Sequence, residues 1–289
     1  VSSPPAGATP VRIDLSHLPR TAVPTALAEL HGALASDTPV ELGFLDGDLH
    51  HAALLDDPSG DRCSAWDPKL LAAVVEGAGF GRPPIELRPR TGPPRRSSDE
   101  LGSLRGQVLV SARRLDTLPD SVGPAMRLLV CGLNPSLPAA ATGIPFVGAS
   151  NRFWPAARQA GVVAVDRDPA GALTVDRVGF TDQAKRATAA ASSLRPGELR
   201  RGIRRLARLV AWLEPAAVCV VGLAGWRTAV DAHARPGIAE ARLGGRPVYV
   251  MPSTSGRNAR SSVDALTAHL ADAAALADRA AAELDRHPT

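Results

Sequence analysis

The chain has 289 residues, 45% of them apolar and 21% charged, which exceeds the usual size of one domain, suits a packed core and excludes a disordered chain. No apolar run reaches the roughly eighteen residues of a membrane span, and no charged segment leads into an apolar stretch, so a cytoplasmic protein without membrane contact is expected. The formal net charge of +4 is unevenly divided: residues 121–289 hold 21 Lys and Arg against 13 Asp and Glu, about +8, which leaves about −4 for residues 1–120, so the C-terminal part is the one to meet a polyanion.

Val1 to Pro10, rich in Ser, Pro, Ala and Gly, is expected to be a disordered tail. A small α/β domain is predicted over residues 11–120, in the order strand (Ile13 to Leu15), helix (Val23 to Leu34), strand (Val40 to Leu45), helix (Pro68 to Gly77) and strand (Gln107 to Ala112). The helix over 68–77 has Pro in its first turn and Gly77 and Gly79 as its stop. Asp46, Asp48, His50 and His51 read as a polar turn at Gly47 rather than a metal site. Arg88 to Gly106 reads as a linker.

In residues 121–289 the predicted strands are Arg127 to Cys131, Ala217 to Leu223 and Pro247 to Met251. The predicted helices are Asn151 to Gly161, Leu199 to Leu213 and Val263 to Leu284, with a further one after the second strand. Apolar runs without alternation, separated by helices, argue a three-layer α/β/α domain with a central, mostly parallel sheet. Functional groups on such sheets gather at the C-terminal strand ends, where Asn134 and Ser253 fall. Cys63, Cys131 and Cys219 are far apart in sequence and make neither a disulfide framework nor a metal ligand set, so no cofactor is expected.

Three blocks stand at these ends. Gly132-Leu133-Asn134-Pro135 follows a strand directly, with Pro145-Phe146-Val147-Gly148-Ala149-Ser150-Asn151-Arg152-Phe153-Trp154 after it. Gly179-Phe180-Thr181-Asp182 runs on to Lys185-Arg186-Ala187-Thr188, and Met251-Pro252-Ser253-Thr254-Ser255-Gly256-Arg257-Asn258-Ala259 comes last. The residues alone leave Asn134 as a turn asparagine or as an amide that holds a water. They leave Phe146 as core or as a stacking ring, and Asn151 as a helix cap or a base contact.

In order and spacing these blocks resemble the signatures of the mismatch-specific uracil-DNA glycosylase and thymine-DNA glycosylase family, over about residues 126–278. The resemblance implies a monofunctional enzyme that extrudes uracil, or thymine or ethenocytosine, opposite guanine in double-stranded DNA and hydrolyses the N-glycosidic bond. It implies Asn134 as the water-positioning residue and Gly132, Leu133, Phe146, Asn151 and Thr181 as the base pocket. Ser253, Thr254, Ser255, Gly256, Arg257 and Asn258 are implied as the DNA-gripping loop, with Arg257 able to fill the gap left by the flipped nucleotide. Phe153 and Trp154 read as core. Ser136 stands where the family usually has Gly, and Ile144-Pro145 where its thymine-specific members have two histidines.

Arg200, Arg201, Arg204, Arg205 and Arg208 form a basic run whose members cannot all share one helix face, and phosphate contact and plain solvation both fit it. Residues 11–110, with Asp14-Leu15-Ser16-His17-Leu18-Pro19-Arg20 and Val74-Val75-Glu76-Gly77-Ala78-Gly79-Phe80, resemble the C-terminal half of a class I methyltransferase. The glycine loop of the cofactor-binding half is absent from this stretch, so no methyl transfer is expected and the unit reads as a packing or partner-binding module. A monomer is expected, active on DNA in the cytoplasm. The rival reading is a non-catalytic DNA-binding module derived from a glycosylase.

Overall fold

In the computed structural model, residues 9–45, 66–81 and 107–286 are described. The polar turn at Asp46, Asp48, His50 and His51, Cys63, the whole linker from Arg88 to Gly106 and most of the N-terminal tail lie outside them. The chain divides into two compact units, one of residues 1–76 and 80–115, the other of residues 77–79 and 116–289.

The first unit contains β1 (Val11–Asp14), α1 (Val23–Ala33), β2 (Pro39–Leu45), most of α2 (Pro68–Gly77) and β3 (Gln107–Arg113). Its sheet has the order β1-β2-β3, with β1 parallel and β3 antiparallel to β2. Val40, Leu42 and Phe44 alternate along β2 into a core with Leu27, Leu71, Val75 and Val110, as a strand of period two requires.

The second unit is built on β4 (Leu128–Gly132), β5 (Val178–Asp182), β6 (Ala217–Val221), β7 (Gly237–Ile238) and β8 (Val248–Met251). Every residue of β4, β5, β6 and β8 is buried, as expected of a sheet covered on both faces. The order is β5-β4-β6-β8-β7, with the first four strands parallel and β7 antiparallel at the edge. The fold is therefore α/β with a mostly parallel central sheet.

Two helical layers enclose it. Leu128, Val130, Phe180, Cys219 and Met251 face one core cluster with α4 (Phe153–Gln159) and α8 (Val263–Arg286). The alternate strand residues, Leu129, Thr181, Val218 and Val250, are equally buried; on their side lie α6 (Pro196–Leu213) and α7 (Leu223–Ala229), which pack together. Outside β5, Ser121 exchanges two backbone hydrogen bonds with Phe180, of 2.9 and 2.8 Å. That pairing protects an otherwise open sheet edge.

Several elements begin where small polar residues or Pro allow. Ser136 Oγ accepts the Ala139 N–H and starts α3 (Leu137–Thr142), which Gly143 ends at φ 73°. Asp168 caps α5 (Pro169–Thr174) in the same way. The structure corrects the predicted extents. The strand expected to Leu223 stops at Val221, because Gly222 turns at φ 102° and Leu223 already opens α7. The basic helix begins at Pro196 rather than Leu199, with Glu198 Oε2 taking the Arg195 N–H. Asn151 lies ahead of α4 rather than within it.

Candidate active site at the C-terminal strand ends

From β4 the chain proceeds to β5 on one side, and β6 lies on the other. The crevice at that switch point, beyond the carboxyl ends of the strands, is where an open α/β sheet binds its ligands. The segments that leave β4 and β5 are zipped together there. Gln183 N donates to Gly132 O (2.8 Å), Ala184 N to Leu133 O (2.9 Å) and Thr188 N to Pro135 O (3.1 Å). Asn134 is held by this zipper: its Nδ2 donates to Pro135 O at 3.0 Å, Arg186 O at 3.1 Å and Thr188 Oγ1 at 2.8 Å. Two of those partners are carbonyl oxygens, which only accept, so the amide has one sensible orientation. Oδ1 is left without a hydrogen bond to the described residues, on a side chain that is half-buried.

Gly132 sits in the crevice for a steric reason. A Cβ there would overlap Asp182 Oδ1 and come within 3.4 Å of Phe146 Cζ. Phe146, at φ 55°, stacks on Phe153 with ring centroids 4.3 Å apart. It stays half-buried, while Phe153 and Trp154 are fully buried. Leu133 lies against α7, since a Cβ on Gly225 would overlap its Cδ1. Asn151 Oδ1 accepts the Phe153 N–H at 3.0 Å, a capping contact at the start of α4. Its amide nitrogen is not used by the described residues.

The last block forms a loop after β8 that one arginine braces. Arg152 donates to Ser255 O at 2.9 Å, to Asn258 O at 2.6 Å and to Ser261 O, and its backbone N–H goes to Thr254 O at 2.9 Å. Ser253 Oγ accepts the Ser255 N–H and Ser255 Oγ the Arg257 N–H, both at 3.3 Å. Gly256 lies against Ser150, which leaves no room for a Cβ. Arg257 is exposed and its guanidinium engages none of the described residues. Two members of the expected grip are turned inward. Thr254 is only 1% exposed, and Asn258 Nδ2 bonds Ser253 O and Ser261 Oγ at 2.8 and 3.2 Å.

Thr181 is likewise turned away from the crevice, into a buried network on the α6 side of the sheet. Its hydroxyl donates to Asp120 Oδ1 at 2.8 Å and accepts from Arg205 at 3.0 Å. Arg205 also reaches Asp120 Oδ2 at 2.7 Å and Asp182 O at 2.8 Å, and Lys185 Nζ pairs with Asp120 Oδ1 at 2.8 Å. Burial pushes the Asp120 carboxyl up, but the charges of Arg205 and then Lys185 outweigh it and hold the pKa below its ordinary value. The five arginines of the basic run thus divide: Arg205 is buried in the network, and Arg200, Arg201, Arg204 and Arg208 are exposed.

Sequence reasoning gave no role to Asp120, Arg152, Arg186 or Asp182. For Arg205 a signal existed, because it shares the apolar face of α6 with Gly202, Leu206 and Leu209. Arg152 binds backbone carbonyls that no sequence motif advertises. Arg186 supplies the carbonyl that holds Asn134, and its guanidinium grips Glu198 through two contacts of 2.8 and 3.0 Å. No group of three or more His, Cys, Asp or Glu able to hold a metal comes together among the described residues.

Residues 119–275 match the family model described as the uracil DNA glycosylase superfamily. That span takes in the crevice, the Asn134 zipper, the buried network and the Arg152-braced loop. The matched span is more than half of the chain, and the chain belongs to the uracil DNA glycosylase superfamily, whose activity is that of a DNA glycosylase.

Proposed function

We propose that the protein is a monofunctional, mismatch-specific glycosylase that hydrolyses the N-glycosidic bond of uracil opposite guanine in duplex DNA, with thymine and ethenocytosine as further candidate bases. The observation that carries this reading is the Asn134 amide, tied on its nitrogen side by three acceptors and open on its oxygen side. An immobilised acceptor at a strand end holds a water by one hydrogen and so aims the water's lone pair at the anomeric carbon. Asparagine cannot take up the proton, so catalysis rests on positioning and on stabilising the departing base anion. A slow enzyme follows.

Base extrusion is a precondition, because the anomeric carbon is shielded in stacked duplex DNA. Phe146 offers a ring for the extruded base. Arg257 offers a long cationic side chain to fill the vacated space, and the seryl hydroxyls and amides of residues 253–257 suit phosphate oxygens. The enzyme needs no cofactor in this scheme and acts as a monomer on cytoplasmic DNA. The N-terminal unit is assigned to packing or partner binding.

Single-turnover incubation with a G·U duplex tests the reading. Wild type is expected to release uracil and leave an abasic site, and Asn134→Ala to lower the rate by about 100-fold or more with DNA binding retained. Binding without release by wild type would instead favour a non-catalytic DNA-binding module.

A further inference from the structure

Asp182, the last residue of β5, ends in the crevice with its carboxyl over Gly132 and beside the edge of the Phe146 ring. It is 6% exposed, yet neither carboxylate oxygen accepts a hydrogen bond from the described residues. Its oxygens are not among the fully enclosed unpartnered atoms; they keep some exposure, so a ligand in the crevice can reach the carboxyl. It faces away from the network, since Thr181 before it points to the α6 side. The carboxyl is thus open to the crevice, and the ring beside it belongs to the base-stacking residue of the proposed function.

We propose, on the strength of that glycosylase reading, that Asp182 is the specificity-determining residue that reads the extruded base in its neutral acid form, donating its O–H to a pyrimidine carbonyl and accepting the ring N3–H on its other oxygen. Uracil presents this acceptor-donor pair along one edge. A neutral acid therefore matches it with two parallel hydrogen bonds and continues to donate as negative charge gathers on the leaving base. The ionised carboxylate can accept from N3–H, but it faces the neighbouring carbonyl with like polarity and repels the departing anion.

The surroundings keep the acid form accessible near neutrality. Burial pushes the Asp182 pKa up; Lys185 after β5 and Arg205 on α6 act against this, Asp120 ahead of β4 acts with it, and the result is a value of about 6. Both cations are already bonded to Asp120. Cys131 on β4 is kept a neutral thiol by burial, and Phe146 and Phe153 carry no charge.

The test is single-turnover excision from a G·U duplex between pH 5 and 8.5 with the full-length protein, its Asp182→Asn variant and Asn134→Ala. Asn keeps a donor and an acceptor but cannot ionise. Wild type is expected to lose rate above about pH 6, approaching tenfold per pH unit, while Asp182→Asn stays flat and exceeds wild type at least tenfold at pH 8. A wild-type profile without that falling limb, or one that Asp182→Asn shares, overturns the proposal and leaves the glycosylase reading standing. Absence of excision by wild type at every pH overturns both. Circular dichroism checks the variant's fold; should Asp182→Asn not fold, Asp182→Ser replaces it, and retention of the falling limb by that variant counts against the proposal.

Discussion

One of the residues that hold Asn134 lies far from it in sequence. Arg186 contributes its carbonyl to the Asn134 amide, and its guanidinium anchors the same segment to Glu198 at the start of α6. The hydrogen bonds from Arg186, against the opposing effect of burial and with help from the Arg195 N–H, lower the Glu198 pKa to about 2. Glu198 is thus ionised in the folded protein at any pH used for an assay, and the clasp stays closed. Arg186→Ala keeps the carbonyl and frees the segment. It is expected to reduce single-turnover excision by about tenfold, as a small misplacement of a catalytic group does, with little change in DNA affinity. Glu198→Gln should lose a similar factor, and the double variant no more than either single one, because all three break one contact. Additive losses in that cycle would show that Arg186 acts elsewhere, on a phosphate for instance.

At the scale of elements, α6 has two tasks. Its exposed side carries Arg200, Arg201, Arg204 and Arg208, and its inner side sets the position of the zipper through Gly202, where a Cβ would overlap Gln183 O. Gly202→Ala would be favourable by helix propensity alone, by about 1 kcal/mol. Overlap with backbone reverses the sign, and a net loss of about 1–3 kcal/mol is expected in urea denaturation. β4, β6 and β8 were legible in the sequence because each is an unbroken apolar run. β5 was not read as a strand, since Gly179, Thr181 and Asp182 interrupt its run and its burial comes from the layers around it. α3 and α5, six residues each, are too short for a helical period to show, and only their caps Ser136 and Asp168 and the first-turn Pro138 and Pro169 mark them. Asn134 and the loop of residues 253–258 could be located from motifs. The inward turn of Thr181 and Thr254 could not be read from motifs, because it depends on which face of an element meets the sheet, whereas that of Arg205 was signalled by the apolar face of α6.

Over the whole molecule, the two aspartates buried among the described residues couple stability to pH with opposite signs. Asp120 has a folded pKa below its ordinary value, so it contributes stability above the unfolded pKa and loses it as pH falls through the folded one. Asp182 is raised from 3.8 to about 6, so its neutral form favours the folded state. That contribution is complete below the unfolded pKa and is lost as pH rises through about 6, an effect on the order of 2–3 kcal/mol. Between pH 7 and pH 5 only Asp182 of this pair changes its charge, and the melting temperature of the wild-type protein should rise as the solution is acidified. Once the pH falls below the ordinary aspartate pKa, the stabilisation from the ionised Asp120 declines and the trend reverses. Asp182→Asn removes the ramp and keeps the acid limb, so it should melt higher than wild type at pH 8 and close to it at pH 5. Asp120→Asn does the opposite: it strands Arg205 and Lys185 without their counter-charge and is expected to cost about 3–5 kcal/mol near neutrality. Thermal melts of the three proteins across pH 3–8 separate these effects. Equal melting of wild type and Asp182→Asn at pH 8 would mean that the carboxyl finds a partner in solution, and the crevice would then have no unpaired acid to offer a base.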